Sequence, residues 1–386
     1  MNKRKVCVVT GTRAEYGLFY PILKKIQASD SLVLQLVAST MHLSSEFGLT
    51  YEEIEKDGFI LDDKIENLLS SDTHSSIAKS TGLATILLSD TFKRLQPDVI
   101  LLLGDRFETH AAATTAMLMN IPIAHIHGGE KTEGAVDEQI RHSITKMSHL
   151  HFTSTEVYRQ RIIQMGEDSS RVFNSGAPGI DNIKNLGLLS KQELEDSLDW
   201  KFGKTTALFT YHPVTLGESN PYHDIEKILL VLEELEMNVL FVYANADSNG
   251  RVINQKIESL CQTDPLKYKV VKNLGQFKYL YAMKYADLLI GNTSSGIIEA
   301  ASFKKPVVNI GDRQKGRLQS GNVIGCNLDT LKDSISVALS SEFLDKCKDI
   351  ENIYGNGCAA DVIVKTLEEK EILINKTFID SNKCVV

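Results

Sequence analysis

The six cysteines (Cys7, Cys261, Cys326, Cys347, Cys358 and Cys384) are scattered over 386 residues without one Cys-x-x-Cys pair. That argues against a zinc knuckle or a disulfide framework and fits a reducing compartment. No stretch is rich in lysine and arginine, and the formal net charge is −8. Such a surface has no field to hold nucleic acid or an anionic membrane, while small anions remain open to local sites. The apolar run in the opening "MNKRKVCVVTG" is too short for a signal peptide or a transmembrane helix, so a cytoplasmic protein is expected. Also missing are G-x-G-x-x-G, G-x-x-x-x-G-K-[ST] and H-E-x-x-H, which weakens the dinucleotide, P-loop and zinc-peptidase readings.

What is present is an ordinary globular composition, 42% apolar and 24% charged, in a chain long enough for two cores. Short apolar runs alternate with amphipathic stretches of helical length. "VCVVTG", "LVLQLVAST", "VILLLG" and "IPIAHIHGG" read as strands, with "ETHAAATTAMLMN" and "DEQIRHSITKMSH" as helices between or after them. The rhythm resumes with "TALFTYHP", the helical "HDIEKILLVLEELE", "NVLFVYAN", "YKVVKNL", "ADLLIGN" and "PVVNIG". Strands apolar nearly throughout, in βαβα order, predict parallel sheets covered on both faces. The expected fold class is α/β, two doubly wound Rossmann-like domains facing across a cleft. "NSGAPGIDNIKNLGLLS" between the two runs is the candidate linker. The expected division is an N-terminal domain over 1–180, a C-terminal domain over 181–365, and a helix and tail over 366–386.

Ligands of such sheets sit where strands run out into helix N-termini. The chemistry-bearing residues cluster there: Gly11 to Glu15, Gly104 to Arg106, Gly128 to Glu130, Tyr211-His212, Asn245 to Asp247, and Gly291 to Gly296. "GNTSSG" opens a predicted helix carrying Glu299, so Ser294, Ser295 and Gly296 offer hydroxyl and N–H groups to a diphosphate; a plain N-cap at Thr293 or Ser294 explains the motif equally well. His125 and His127 alternate on a predicted strand and would share a face, the spacing of an H-x-H metal pair. With Asp105 or His142 they would make a zinc hydrolase. Asp137 to Arg141 and Glu138 to His142 are i,i+4 pairs, which on a solvated helix contribute only a few tenths of a kcal/mol each. Alternatively, Asp105, Glu130 and Asp137 converge on one ligand, where crowding splits carboxylates into acid and base.

"VTGTRAEYG", "LGDRFE", "HIHGGEKTEGAVDEQIRHSITKMSH", "YHPVT", "GNTSSGIIEA" and "NIGDRQKGR" together resemble the hydrolysing UDP-N-acetylglucosamine 2-epimerases of bacterial sialic acid synthesis. They are also similar, as the second reading, to the neighbouring enzymes that act on UDP-N,N'-diacetylbacillosamine for legionaminic acid. The resemblance implies a glycosyltransferase-B fold whose last helix packs back on the first domain. It implies cleavage of UDP-N-acetylglucosamine to N-acetylmannosamine and UDP, or the same reaction on the diacetyl sugar. It implies no cofactor and no obligatory metal, and a homodimer as in most relatives. At matching positions it places Arg13, His212, Ser294, Ser295, Gly296 and Glu299 on UDP, and Arg106, Arg141, Asn245 and Arg313 on the sugar. Asp105 and Asp137 fall on the acid/base carboxylates, with His212 aiding departure of the diphosphate. Many relatives carry a glutamate where this sequence has His127, which makes His127 and the nearby Glu130 the candidates for its role.

The reaction needs such groups. No ketone acidifies the carbon 2 proton, so departure of UDP from carbon 1 supplies most of the driving force. Donors around the diphosphate stabilise that charge, each worth on the order of a hundredfold. A base takes the proton to give a glycal, water adds to it, and an acid returns a proton to the opposite face, each such group contributing roughly 10²- to 10⁴-fold. The competing readings are a glycosyltransferase on the same scaffold, a zinc hydrolase on His125 and His127, and a non-catalytic nucleotide-sugar sensor.

Overall fold

The computed structural model describes residues 3–71, 73–133, 136–212, 221–243 and 250–380. Contacts divide the chain into two compact units, one of 1–130, 137–182 and 354–386, the other of 131–136 and 183–353. Each is built on one parallel sheet, so the expected pair of doubly wound α/β domains is observed.

In the first unit seven strands, β1 (Arg4–Thr10), β2 (Leu32–Ser39), β3 (Asp63–Ile65), β4 (Val99–Leu103), β5 (Ile123–Ile126), β6 (Leu150–Thr153) and β7 (Val172–Asn174), lie in the order β3-β2-β1-β4-β5-β6-β7. Val6 and Val8 enter one core and Cys7 and Val9 the other, the period-two alternation of a strand buried on both faces. The helix Arg13–Ala28 covers the first face beside the helix Ala359–Glu369, which supplies Ala360, Ile363 and Leu367 to the same core. The helices His74–Leu95 and Phe107–Leu118 cover the second.

The second unit has six strands, β8 (Thr206–Thr210), β9 (Asn238–Val242), β10 (Tyr268–Val271), β11 (Leu288–Gly291), β12 (Val307–Ile310) and β13 (Val323–Cys326), in the order β10-β9-β8-β11-β12-β13. Phe209, Phe241 and Ile290 fill one face, Leu208, Leu240 and Leu289 the other. In both sheets the chain reverses its direction of travel once, at β1/β4 and at β8/β11. Such switch points leave a crevice outside the carboxyl ends of the two strands, the place where doubly wound proteins bind ligands.

Two segments differ from their sequence appearance. Half of the glycine-rich candidate linker is a helix, Pro178–Lys184, and its buried Asp181 accepts from the N–H groups of Ala359 (3.0 Å) and Ala360 (2.9 Å). The carboxylate thereby serves orphan donors at the start of the last helix. The tail beyond Lys370 is tied down: Lys376 Nζ donates to the carbonyls of Lys146 (2.8 Å) and Ser148 (2.6 Å), and Ile379 N to Gly166 O (2.9 Å). No described helix is long and apolar enough to cross a membrane.

Candidate active site

The β1/β4 switch point gathers charge. Gly104, with φ at +83°, turns the chain out of β4 and delivers Asp105 and Arg106, the latter the N-cap of the helix Phe107–Leu118. Asp105 pairs with Arg141, whose guanidinium is fully buried and also reaches Glu138 Oε2 (3.1 Å) and the carbonyl of Glu130 (3.0 Å). Arg141 was assigned to the sugar from the sequence. The structure instead spends it inside the protein, joining the β4 loop, the β5 loop and the helix Asp137–Met147. Asp137 opens that helix half-buried, and Glu138 also meets His142 Nε2 at 3.0 Å.

The strand histidines part company. His125 is buried in β5 with Nε2 on the carbonyl of Gly104 (2.7 Å), and burial pushes its pKa down to about 3, so it is a neutral structural imidazole. His127 lies beyond the strand end with φ at +66°, a left-handed conformation that swings it out of the alternation. Its Nδ1 meets Glu130 Oε1 at 2.6 Å, and the same oxygen accepts from Ser154 Oγ at 2.7 Å. The H-x-H pair therefore does not act as one chelate. Among the described residues no group of three His, Cys, Asp or Glu could hold a metal ion. A carboxylate facing Nδ1 fixes the Nδ1–H tautomer and leaves Nε2 as the basic nitrogen, the arrangement of a histidine oriented for proton transfer.

Arg13, expected at phosphate, is ion-paired with Glu53. Glu15, one turn on, closes a capping box with Thr12: Oε2 accepts from the N–H of Gly11 (2.8 Å) and Thr12 (3.1 Å). Glu108 Oε1 accepts from Arg106 Nε at 2.7 Å.

The β8/β11 switch point is almost free of charge. His212 follows β8 and is held by a reciprocal pair with Asn292, His212 N to Asn292 Oδ1 (2.7 Å) and Asn292 Nδ2 to His212 O (2.8 Å). The carbonyl of Asn292 accepts from Arg313 Nη1 (3.2 Å) and Gln314 Nε2 (2.9 Å). After Thr293, whose hydroxyl accepts from Ser295 N at 3.4 Å, the helix Ser294–Ile298 runs for only five residues before Glu299 ends it. The sequence suggests a longer helix; its short run makes the macrodipole a minor contributor and leaves the hydroxyls of Ser294 and Ser295 and the Ser294 N–H as the usable donors. Gly296 packs where a Cβ would come within 3.2 Å of Val307 Cγ1, so it admits the turn against β12. Glu299 is buried nearby, within electrostatic reach of Tyr279, whose hydroxyl burial pushes up to about 12. Asn245 lies outside the described residues.

Sequence reasoning passed over Ser154, Glu108, Asn292 and Gln314 as site residues. Asn292 was legible in hindsight, as an amide directly after the strand that borders the switch point. Ser154 was not: nothing local says that the end of β6 meets Glu130.

The family model described as UDP-N-acetylglucosamine 2-epimerase matches residues 24–368. A GDP/UDP-N,N'-diacetylbacillosamine 2-epimerase (hydrolyzing) of Campylobacter jejuni is 45% identical over 98% of this chain and 100% of its own. A UDP-N,N'-diacetylbacillosamine 2-epimerase (hydrolyzing) of Legionella pneumophila is 36% identical over 97% of this chain and 98% of its own. The crystal structure of a UDP-GlcNAc 2-epimerase from Neisseria meningitidis bound to UDP-GlcNAc superposes with a TM-score of 0.81 at 19% identity, covering 95% of this chain and 100% of that one. At that identity the likeness speaks to the fold alone.

Proposed function

Since the chain belongs to the UDP-N-acetylglucosamine 2-epimerase family and is an enzyme, we propose that it hydrolyses UDP-N,N'-diacetylbacillosamine with inversion at carbon 2, releasing UDP and the free 2-epimeric sugar. UDP-N-acetylglucosamine, the first substrate suggested by the sequence, becomes the second to test, because the relatives at 45% and 36% identity are both named for the diacetyl sugar. The observation that carries the reading is the interlocked set Asp105, Arg141, Glu130 and His127 at the carboxyl ends of β4 and β5. Two proton-transfer groups of different kinds, a carboxylate and an oriented imidazole, are what epimerisation through a glycal requires.

In this reading one of them takes the carbon 2 proton as the bond from carbon 1 to the diphosphate oxygen breaks and UDP leaves with the electron pair. Water then adds its hydroxyl to carbon 1 and gives its proton to the other group, which delivers a proton to the opposite face of carbon 2, while the first group returns the proton it took to solvent. Asp105 is the carboxylate of the pair, held by Arg141, and His127 acts through Nε2, with Glu130 stabilising the imidazolium that forms. Asp137, at the head of the same helix as Arg141, stands as the second carboxylate. Arg106 is assigned to the sugar. Arg313 is likewise assigned to the sugar, and His212, Ser294 and Ser295 to UDP, whose departing oxyanion such donors stabilise. Arg141 positions carboxylates and does not touch substrate.

The test is proton NMR of the purified chain with UDP-N,N'-diacetylbacillosamine in heavy water. The expected result is free sugar deuterated at carbon 2 together with UDP. Faster turnover of UDP-N-acetylglucosamine would replace the substrate and keep the chemistry. Transfer of the sugar to an acceptor with the carbon 2 proton retained would replace both.

A further inference from the structure

At the mouth of the β1/β4 crevice lie two buried carboxylates that the reaction above leaves unused. Glu108 is 2% exposed and Glu15 7%. Glu108 is wedged against the β1 turn so tightly that a Cβ on Gly11 would fall 2.4 Å from its Cγ, so a glycine there is a requirement of the pair. Its Oε1 takes Arg106 Nε at 2.7 Å, and its Oε2 is buried with no hydrogen-bond partner. Glu15 spends Oε2 on the N–H groups of Gly11 and Thr12, and its Oε1 is met by Thr109 Oγ1 at 3.3 Å. The guanidinium they share is partly exposed, with Nη2 against Met41 Sδ at 3.9 Å.

We propose that Glu108, backed by Glu15, is the positioning residue for Arg106: it fixes Nε so that the remaining face of the guanidinium is presented at the carboxyl ends of β1 and β4 to the substrate. The inference rests on the reading of this crevice as the sugar site, and it adds a device that none of the acid/base assignments contains.

The charge arithmetic makes the arrangement self-consistent. One cation cannot neutralise two buried carboxylates, so the second takes a proton in the neutral range. Burial, followed by the charge of Glu108, pushes Glu15 up to about 7, against the pull of Arg106 and of the two N–H groups. Glu15 is thus the member that accepts the proton, while Glu108 keeps its hydrogen bond from Arg106 Nε. The other charged groups nearby are engaged or neutral: Arg13 with Glu53, Asp105 with Arg141, and His42, which burial pushes down to about 4, between the hydroxyls of Thr10 and Thr50. A backing carboxylic acid leaves the guanidinium its positive charge; a second carboxylate would draw it inward.

The experiment is a double-mutant cycle on the full-length enzyme with Glu108→Gln, Arg106→Ala and both together, read as KM and kcat separately, with melting curves to establish folding. A side chain that acts through Arg106 gives a Glu108→Gln enzyme with KM raised about tenfold, the scale of one charge-assisted hydrogen bond, and kcat within about threefold. The double variant should then be no worse than Arg106→Ala alone, the signature of one shared interaction. Additive effects, or an unchanged KM in folded Glu108→Gln, would overturn the proposal. Carboxyl carbon-13 NMR gives a reading independent of turnover: Glu15 should titrate near neutrality in the wild type and about one unit or more lower in Glu108→Gln, where the like charge is gone. Titration of wild-type Glu15 in the ordinary carboxylate range would also overturn it. A wild type that turns over no UDP-sugar instead sinks the 2-epimerase reading, and the two failures are thereby distinct.

Discussion

The two switch points share a topology and differ in chemistry. At β1/β4 and the neighbouring end of β5, charge-assisted bonds join Arg106 to Glu108, and separately link Asp105, Arg141, Glu130 and His127. At β8/β11 the work is done by an amide, Asn292, that clasps the backbone of His212 and collects Arg313 and Gln314 on its carbonyl, beside the hydroxyls of Thr293, Ser294 and Ser295. At this rim amide, hydroxyl and backbone dipoles predominate, with Arg313 the cation on the Asn292 carbonyl, an arrangement suited to holding a charge that is already there. Carboxylates and an imidazole suit moving protons. On the function proposed above, the first unit carries the proton-transfer groups and the second the groups assigned to UDP.

The largest effect expected from breaking that division is at Asp105. Asp105→Asn should cut kcat by roughly 10²-fold or more, the usual cost of a lost acid/base group, while calorimetry finds UDP affinity little changed. Weakened UDP binding with normal turnover of bound substrate would reverse the assignment of the units. Next is the dyad. Glu130→Gln keeps the shape and removes the negative charge behind His127, so kcat should fall by roughly 10- to 10²-fold. His127→Glu sharpens the point. If the position asks only for a base, that variant retains measurable turnover; if Ser154 and Glu130 are tuned to an imidazole, placing a carboxylate against Glu130 abolishes it.

For the second unit the expected signature is binding. Asn292→Ala removes both bonds to the His212 backbone, and KM with UDP affinity should suffer about tenfold, near the value of one or two neutral hydrogen bonds, with kcat at saturation changed far less. A fall in kcat alone would mean that His212 joins in the chemistry rather than in holding UDP.

The same comparison explains what the sequence revealed. Both sheets were legible because strands buried on two faces are nearly continuous apolar runs, and a residue following such a run is placed at the rim by topology alone. That is why Asp105, Arg106, His212 and Ser294 were found. Direction was harder to read than location. A period of two places His125 and His127 on one face, but the strand ends at Ile126 and the φ of +66° at His127 voids the alternation. The resemblance places Arg141 on the sugar, and a motif match records position and not which end of a guanidinium is enclosed. Glu15 shows the remaining limit: in "GTRAE" it is plainly a capping-box residue, and its proximity to Glu108, 93 positions on, is a property of the β1/β4 pairing.

The smallest effect concerns the stability of the first unit. Glu167 is drawn to about 2 because hydrogen bonds from His151, Lys146 and Lys376 outweigh the burial that would raise it. A folded value below the unfolded one means that its contribution is present above about 4.5 and is lost as pH falls toward 2; buried neutral His125, at about 3, likewise withdraws stability as pH falls below 6.5. Acid should therefore undermine the first unit, whose helix Asp137–Met147 carries Arg141 at its middle and is pinned at its C-terminal end by Lys376 on the carbonyls of Lys146 and Ser148. Lys376→Ala should lower the melting temperature by about 2–4 °C at pH 7, the equivalent of ~1 kcal/mol in a unit of this size. The loss should shrink by pH 3, where Glu167 in the unfolded chain no longer gives up its proton. A pH-independent loss of the same size would assign Lys376 to the helix carbonyls alone, and no loss at all would leave the tail without a hold on the helix that aligns Asp105.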